Sequence, residues 1–99
     1  MNILIDPEFR DLLGPMDKDA RQTLEASLQA EGCRNALVVW PQLNGTAILL
    51  DGHARFDICQ RYGIAYSTVN CPETVIDRES AMVWIMKNLL ARRHTSSQA

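Results

Sequence analysis

Ninety-nine residues, 46% hydrophobic and 22% charged, suit a single domain around one modest core. The formal charge of −2 excludes a surface coated in basic residues for nucleic acid, though not a local basic patch. The longest nearly uncharged apolar runs, residues 36–40 and 47–50, are too short to span a bilayer, and the acidic start Asp6-Pro7-Glu8 does not resemble a signal peptide; a cytoplasmic protein with no membrane partner is expected. Cys33, Cys59 and Cys71 are odd in number and lack Cys-x-x-Cys spacing, which suggests buried free thiols rather than a disulfide framework or a zinc site.

Residues 2–5 read as a short strand stopped by Pro7, and residues 9–13 with Gly14-Pro15 as a loop or one helical turn. Asp17 is placed to cap a helix carrying Ala20, Leu24 and Leu28 on one face, and Gly32 ends it. Two β-rich runs, residues 37–40 and 46–50, flank a linker ending in Asn44-Gly45, the signature of a hairpin. A helix after Gly52 places Ile58 and Tyr62 on one face, with Phe56 and Cys59 nearby, and closes at Gly63. A further strand is expected near residues 66–69.

The stretch with most chemistry in it is Ile48-Leu49-Leu50-Asp51-Gly52-His53-Ala54-Arg55-Phe56, an apolar strand running straight into a helix. Gly52 permits a tight turn, and the helix start presents the unpaired N–H groups of His53, Ala54 and Arg55 together with the positive end of its dipole. Arg55 and His53 can add charge-assisted bonds to the same anion, and Asp51 can accept a proton, orient the loop or reach a magnesium ion. The same letters also make an ordinary Asp-Gly turn beside a solvated arginine. A phosphate-binding Arg55 sets an expectation for Arg55→Ala, a loss of roughly 1.5–3 kcal/mol in nucleotide affinity.

The last helix begins at Asp77, with Glu79 in its first turn, and runs through Met82, Trp84, Ile85, Leu89 and Leu90. Its apolar residues go most of the way round, so part of that surface is expected to meet a partner, either a second copy or residues beyond this chain; taken singly, Trp84 and the methionines read as core. Lys87 and Arg92-Arg93-His94 gather positive charge at the helix end, which suits the dipole as well as it suits DNA phosphate; Arg92 and Arg93 are the DNA-contact candidates. Residues 95–99 read as a frayed tail or as the point where a longer protein was cut.

The run Leu24-x-x-Ser27-Leu28-x-x-Glu31-Gly32-Cys33-Arg34-Asn35-Ala36-Leu37-Val38-Val39, followed after the hairpin by Leu50-Asp51-Gly52-His53-Ala54-Arg55-Phe56, resembles the amino-terminal, ParB-like nuclease domain of partition proteins in the ParB/sulfiredoxin superfamily. Residues 77–93 resemble a carboxy-terminal extension found in a bacterial, plasmid- and phage-associated subset of these proteins. The resemblance implies an α+β fold with a small mixed sheet and covering helices: a core over residues 1–70, a helical extension over 71–94 and a tail over 95–99. It also implies a nucleoside di- or triphosphate, CTP or ADP, with or without magnesium, at the helix start, and Arg34 and Asn35 on the loop that faces base or sugar. That loop equally reads as a plain polar connection between helix and strand.

Departures from the family pattern divide the functions. Partition proteins carry Gly-Glu-Arg-Arg where this chain has Gly52-His53-Ala54-Arg55, so His53 replaces the glutamate associated with magnesium and hydrolysis. Sulfiredoxins carry a cysteine where His53 stands, which argues against their thiol chemistry. The ADP-dependent serine kinases of the superfamily have a similar Asp-Gly-His-His-Arg, matched here except at Ala54; such a kinase needs a base, for which Glu31 and Glu8 are the candidates. The favoured expectation is a nucleotide- or phosphate-binding domain of a DNA-associated partition or regulatory protein, homodimeric, with its DNA-reading helices beyond residue 99. The alternatives are a small kinase-like or nuclease-like enzyme, the latter wanting more clustered carboxylates than Asp51, and a dimerisation module without ligand.

Overall fold

The computed structural model describes residues 2–12, 14 and 16–98, with side chains as far as Ala91. Among the described residues the elements are β1 (Asn2–Leu4), α1 (Pro7–Leu12), α2 (Lys18–Glu31), β2 (Leu37–Pro41), β3 (Thr46–Asp51), α3 (His53–Tyr62), β4 (Thr68–Asn70) and α4 (Arg78–Gln98). The strands form one mixed sheet in the order β1-β3-β2-β4, with β2 antiparallel to β3 and the two outer strands parallel to their neighbours. The fold is thus α+β, a small mixed sheet with covering helices and a carboxy-terminal helix.

The hairpin between β2 and β3 closes as Asn44-Gly45 leads one to expect. Gly45 sits at φ 85°, and the Asn44 side chain accepts from the Thr46 N–H and hydroxyl at 3.1 and 2.6 Å. Strand alternation then sends side chains to two faces. Leu37, Val39, Ala47 and Leu49 pack on one face with Phe56 of α3, while Trp40, Ile48 and Leu50 pack on the other with Phe9 of α1 and Ala81 and Ile85 of α4. The register slips between Val38 and Val39, which pair with Asp51 and Leu49. That bulge leaves Leu50 as the extra residue and lets Leu49, Leu50 and Asp51 all be buried in succession, delivering Asp51 to the sheet end beside α3.

Four local expectations are corrected. Pro7 does more than stop β1. It occupies the first turn of α1, where its missing N–H costs nothing, and the Asp6 carboxylate accepts from the N–H groups of Glu8 and Phe9 at 2.9 and 3.3 Å. Asp17 stands at the N-cap of α2 but makes no side-chain cap bond, and Ala20 is exposed; the buried side of α2 is built on Leu28, with Arg21 and Leu24 half-buried. Tyr62 likewise stays exposed, its hydroxyl 3.4 Å from Glu25, whereas Ile58 and Cys59 are buried. The fourth strand is Thr68–Asn70, because the Leu37 N–H donates to the Ser67 carbonyl and Thr68 is the first partner of Leu37 in register; Tyr66 packs its ring edge-on to Phe56 instead.

No helix among the described residues is long and apolar enough to cross a membrane. α4 begins after Asp77 and is part of the same core: Ala81 and Ile85 are buried against Phe9 and Leu50. The side chains of Arg92 and Arg93, the DNA-contact candidates, lie outside the described residues.

Candidate functional site

The end of β3 and the start of α3 open into a cavity of about 720 Å³. Its walls come from four directions: Ile5 and Arg10 from the amino-terminal segment, Met16 and Arg21 around the start of α2, His53 and Asp57 on α3, and Asn88 and Leu89 on α4. Asp51 and Ala54 also line it, so three of the five residues of the Asp-Gly-His-x-Arg run face the cavity.

Gly52 holds the turn. Its φ of 100° lies in the left-handed region, and a Cβ there would come within 2.5 Å of the Leu37 side chain and 3.1 Å of the Arg55 guanidinium. Glycine is required both by conformation and by this close approach of neighbouring side chains. With glycine as its N-cap, α3 has no side-chain cap; the first bond of the helix is Phe56 N–H to the Gly52 carbonyl. The N–H groups of His53, Ala54 and Arg55 therefore have no partner among the described residues, which is the arrangement that accepts an anion.

Arg55 turns inward. One guanidinium nitrogen donates to the Asn35 carbonyl at 2.8 Å and another lies 3.5 Å from the Asp51 carboxylate, in a pair whose side chains are only 11% and 10% exposed. Arg55 thus ties three segments together: the end of β3, its own helix and the loop that leads into β2. Asn35 takes part through its backbone carbonyl, and the same carbonyl accepts weakly from the Cys33 thiol at 3.5 Å. Arg34 points elsewhere, paired with Glu31 at 2.9 Å on the exposed surface. Neither Arg34 nor Asn35 lines the cavity, so the structure gathers Asp51, His53 and Ala54 at the cavity, sets Gly52, Arg55 and Asn35 behind them, and leaves Arg34 apart.

His53 is the unsatisfied group of the site. Both ring nitrogens are buried with no hydrogen-bond partner among the described residues. Burial holds the imidazole below its ordinary value of 6.5; the Asp51 carboxylate pulls it upward, Arg10 pushes it down, and Asp6 and the nearby Leu49 carbonyl, too poorly aligned for a full hydrogen bond, also pull it upward. The ring is accordingly neutral at pH 7, with one nitrogen able to donate and the other to accept.

Arg10, Arg21 and Asp57 are the charged cavity residues that the sequence reading missed. Arg21 pairs with Asp57 and, at 3.4 Å, with Glu25, and these carboxylates raise its pKa further. Arg10 is half-exposed, 3.1 Å from the exposed Asp11 carboxylate, an ion pair that water screens heavily. The available signal was spacing. Asp57 and Gln60 follow His53 at four and seven residues, on one face of α3, but nothing in sequence brings α1 or α2 to that face.

Glu8 and Glu31, the candidate bases, lie outside the cavity lining; Glu8 is bound to Arg78 at 2.7 Å and Glu31 to Arg34. No cluster of three or more His, Cys, Asp or Glu side chains able to hold a metal occurs among the described residues. The Cys59 thiol is buried on α3 and pushed up to about 11 by that burial and by the neighbouring Cys33 thiol, so it is protonated and a poor nucleophile. A search of family models, of curated proteins and of solved structures finds no match to this chain.

Proposed function

We propose that this chain is a ParB-like nucleotide- or phosphate-binding domain of a DNA-associated partition or regulatory protein, acting in the cytoplasm as a homodimer. The observation that carries the reading is the uncapped start of α3 at a cavity of about 720 Å³ that also holds Arg10, Arg21 and the unpartnered His53 imidazole. Small-molecule sites are typically roughly 300–1,000 Å³, so a nucleotide fits by size. In this reading the ligand's phosphates take the N–H groups of His53, Ala54 and Arg55, and the His53 ring, whose nitrogens are buried without ligand, turns toward the cavity to donate to a phosphate oxygen. Arg10, free to swing from its screened partner, supplies charge. Arg55 keeps the turn in shape through Asp51 and the Asn35 carbonyl. A single carboxylate is what the chain offers magnesium; an ion held by Asp51 would take its remaining ligands from phosphate oxygens and water. DNA is assigned to Arg92, Arg93 and helices of the parent protein.

The superfamily's phosphotransfer chemistry is the second reading, and Asp57 favours it, as a carboxylate on the cavity wall. A thermal-shift series with CTP, ATP, ADP and GTP, each with and without magnesium, separates the two. Ligand at about 100 times its dissociation constant stabilises by about 2.7 kcal/mol. A shift selective for CTP supports the partition-like domain, a shift selective for ADP supports the kinase, and no shift with any nucleotide overturns the nucleotide site.

A further inference from the structure

We propose that the outer face of α4 is the surface on which two copies of this chain dock, antiparallel, with the two-fold axis at Val83. This specifies the homodimer of the reading above and is independent of the phosphate site, because the residues involved lie on the side of α4 away from the cavity.

At 3.6 residues per turn, Ala81 and Ile85 fall on one side of α4 and Val83 and Leu90 on the opposite one, with Met86 beside them. The first pair is buried in the core, whereas Val83, Met86 and Leu90 are 49, 53 and 59% exposed. Ile76, just before the helix, is more exposed still and makes no staple onto the first turn. A helix with one apolar face in the core and a second in solvent has a surface that water does not favour.

Charge names the occupant. Glu79 and Lys87 flank the stripe four residues before and four after Val83; both are exposed, and neither has an ion-pair partner among the described residues. A two-fold axis through Val83 sets Glu79 of each copy opposite Lys87 of the other, and sets Leu90 of each against Ile76 of the other. A parallel arrangement would instead put Glu79 against Glu79 and Lys87 against Lys87. The pattern is self-complementary in the way an isologous interface requires. Beside the stripe lies a groove of about 410 Å³ between Thr74, Ile76, Val83 and Trp84, at the end where Leu90 of the second copy arrives. The stripe from Glu79 to Leu90 is only about 16 Å long, so the contact is at the small end of specific interfaces and the association is concentration-dependent.

Sedimentation equilibrium of the full chain over a wide concentration range, without nucleotide, tests this. A monomer–dimer equilibrium is expected. Val83→Glu, which sets two carboxylates against each other on the axis, should weaken it at least about tenfold. Lys87→Glu should weaken it by a smaller factor, and the charge swap Glu79→Lys with Lys87→Glu should restore it. Circular dichroism of each variant confirms its fold. A chain that stays monomeric throughout overturns both the dimer and this surface. A dimer indifferent to Val83→Glu leaves the dimer standing and overturns the surface, and a charge swap that fails to restore association overturns the antiparallel register.

Discussion

α4 begins on its own side chains, whereas α3 begins on a glycine that has none to offer. Ahead of α4, the Asp77 carboxylate accepts from the Ser80 N–H at 2.8 Å, and the Ser80 hydroxyl reaches back to the N–H groups of Asp77 and Ile76 at 3.0 and 2.9 Å. This reciprocal arrangement satisfies the donors that a helix start leaves over. At α1 the Asp6 carboxylate alone accepts from the N–H groups of Glu8 and Phe9. At α3 the equivalent donors are left facing a cavity. The contrast is between starts with a capping carboxylate, Asp6 at α1 and Asp77 at α4, and a start at Gly52 where both φ and the Leu37 contact exclude a side chain; α2 has a carboxylate in place, Asp17, that makes no cap bond.

The largest effect is expected at that glycine. Gly52→Ala places a Cβ in a left-handed conformation and against Leu37, and should cost about 3 kcal/mol or more in urea denaturation; a cost under about 1 kcal/mol would mean that the turn relaxes freely. Arg55→Ala comes next. Removing a buried charged partner from Asp51 and from the Asn35 carbonyl should cost about 3 kcal/mol. Lysine should not rescue it, because one ammonium cannot match the guanidinium fork. The loss should appear in the apo protein, so that a variant of normal stability with weakened nucleotide binding would return Arg55 to the role of direct phosphate ligand.

Arg10→Ala sharpens the functional half of the contrast. It should lower nucleotide affinity by about 1.5 kcal/mol, read by calorimetry, with little change in stability. In amide spectra the nucleotide should shift His53, Ala54 and Arg55 and leave Ser80 and Ala81 unmoved; equal shifts at both helix starts would erase the distinction.

The smallest effects are two pH dependences of the same sign in different windows. His53 has its folded-state pKa lowered by burial, so the unfolded chain binds the proton first. Its contribution is complete above about 6.5 and is lost as pH falls from there through the lower folded value. A bound phosphate should raise that value, making nucleotide binding tighter at mildly acidic pH, as an imidazole proton titration by NMR would show. Asp77 is held below 3.8 by its bonds from Ser80, so its contribution is present above that value and is lost as pH falls through the lower folded one. Asp77→Asn should remove the second dependence and leave the first.

The strand–glycine–helix run and the hairpin were legible in the sequence because each rests on local chemistry, a turn residue or an alternation that neighbours alone satisfy. Expectations for α1 and α2 suffered where one letter has two local uses: Pro7 both ends a strand and starts a helix, and Asp17 stands at a cap position without capping. Arg55 was legible as a site residue but not as to its partner, since Asn35 lies twenty positions away.

What the sequence by itself determined is thus the order of the elements, the required glycine at residue 52 and the excess of apolar surface on the last helix, all properties of short windows. Tertiary structure alone decided that Arg10, Arg21, Asn88 and Leu89 wall the cavity and that Arg55 turns inward. It also decided which face of α4 meets the core and which is left with Val83 and Leu90 in solvent. Those outcomes depend on how separate segments pack across the sheet, where the contact that wins is set by burial and not by sequence neighbourhood.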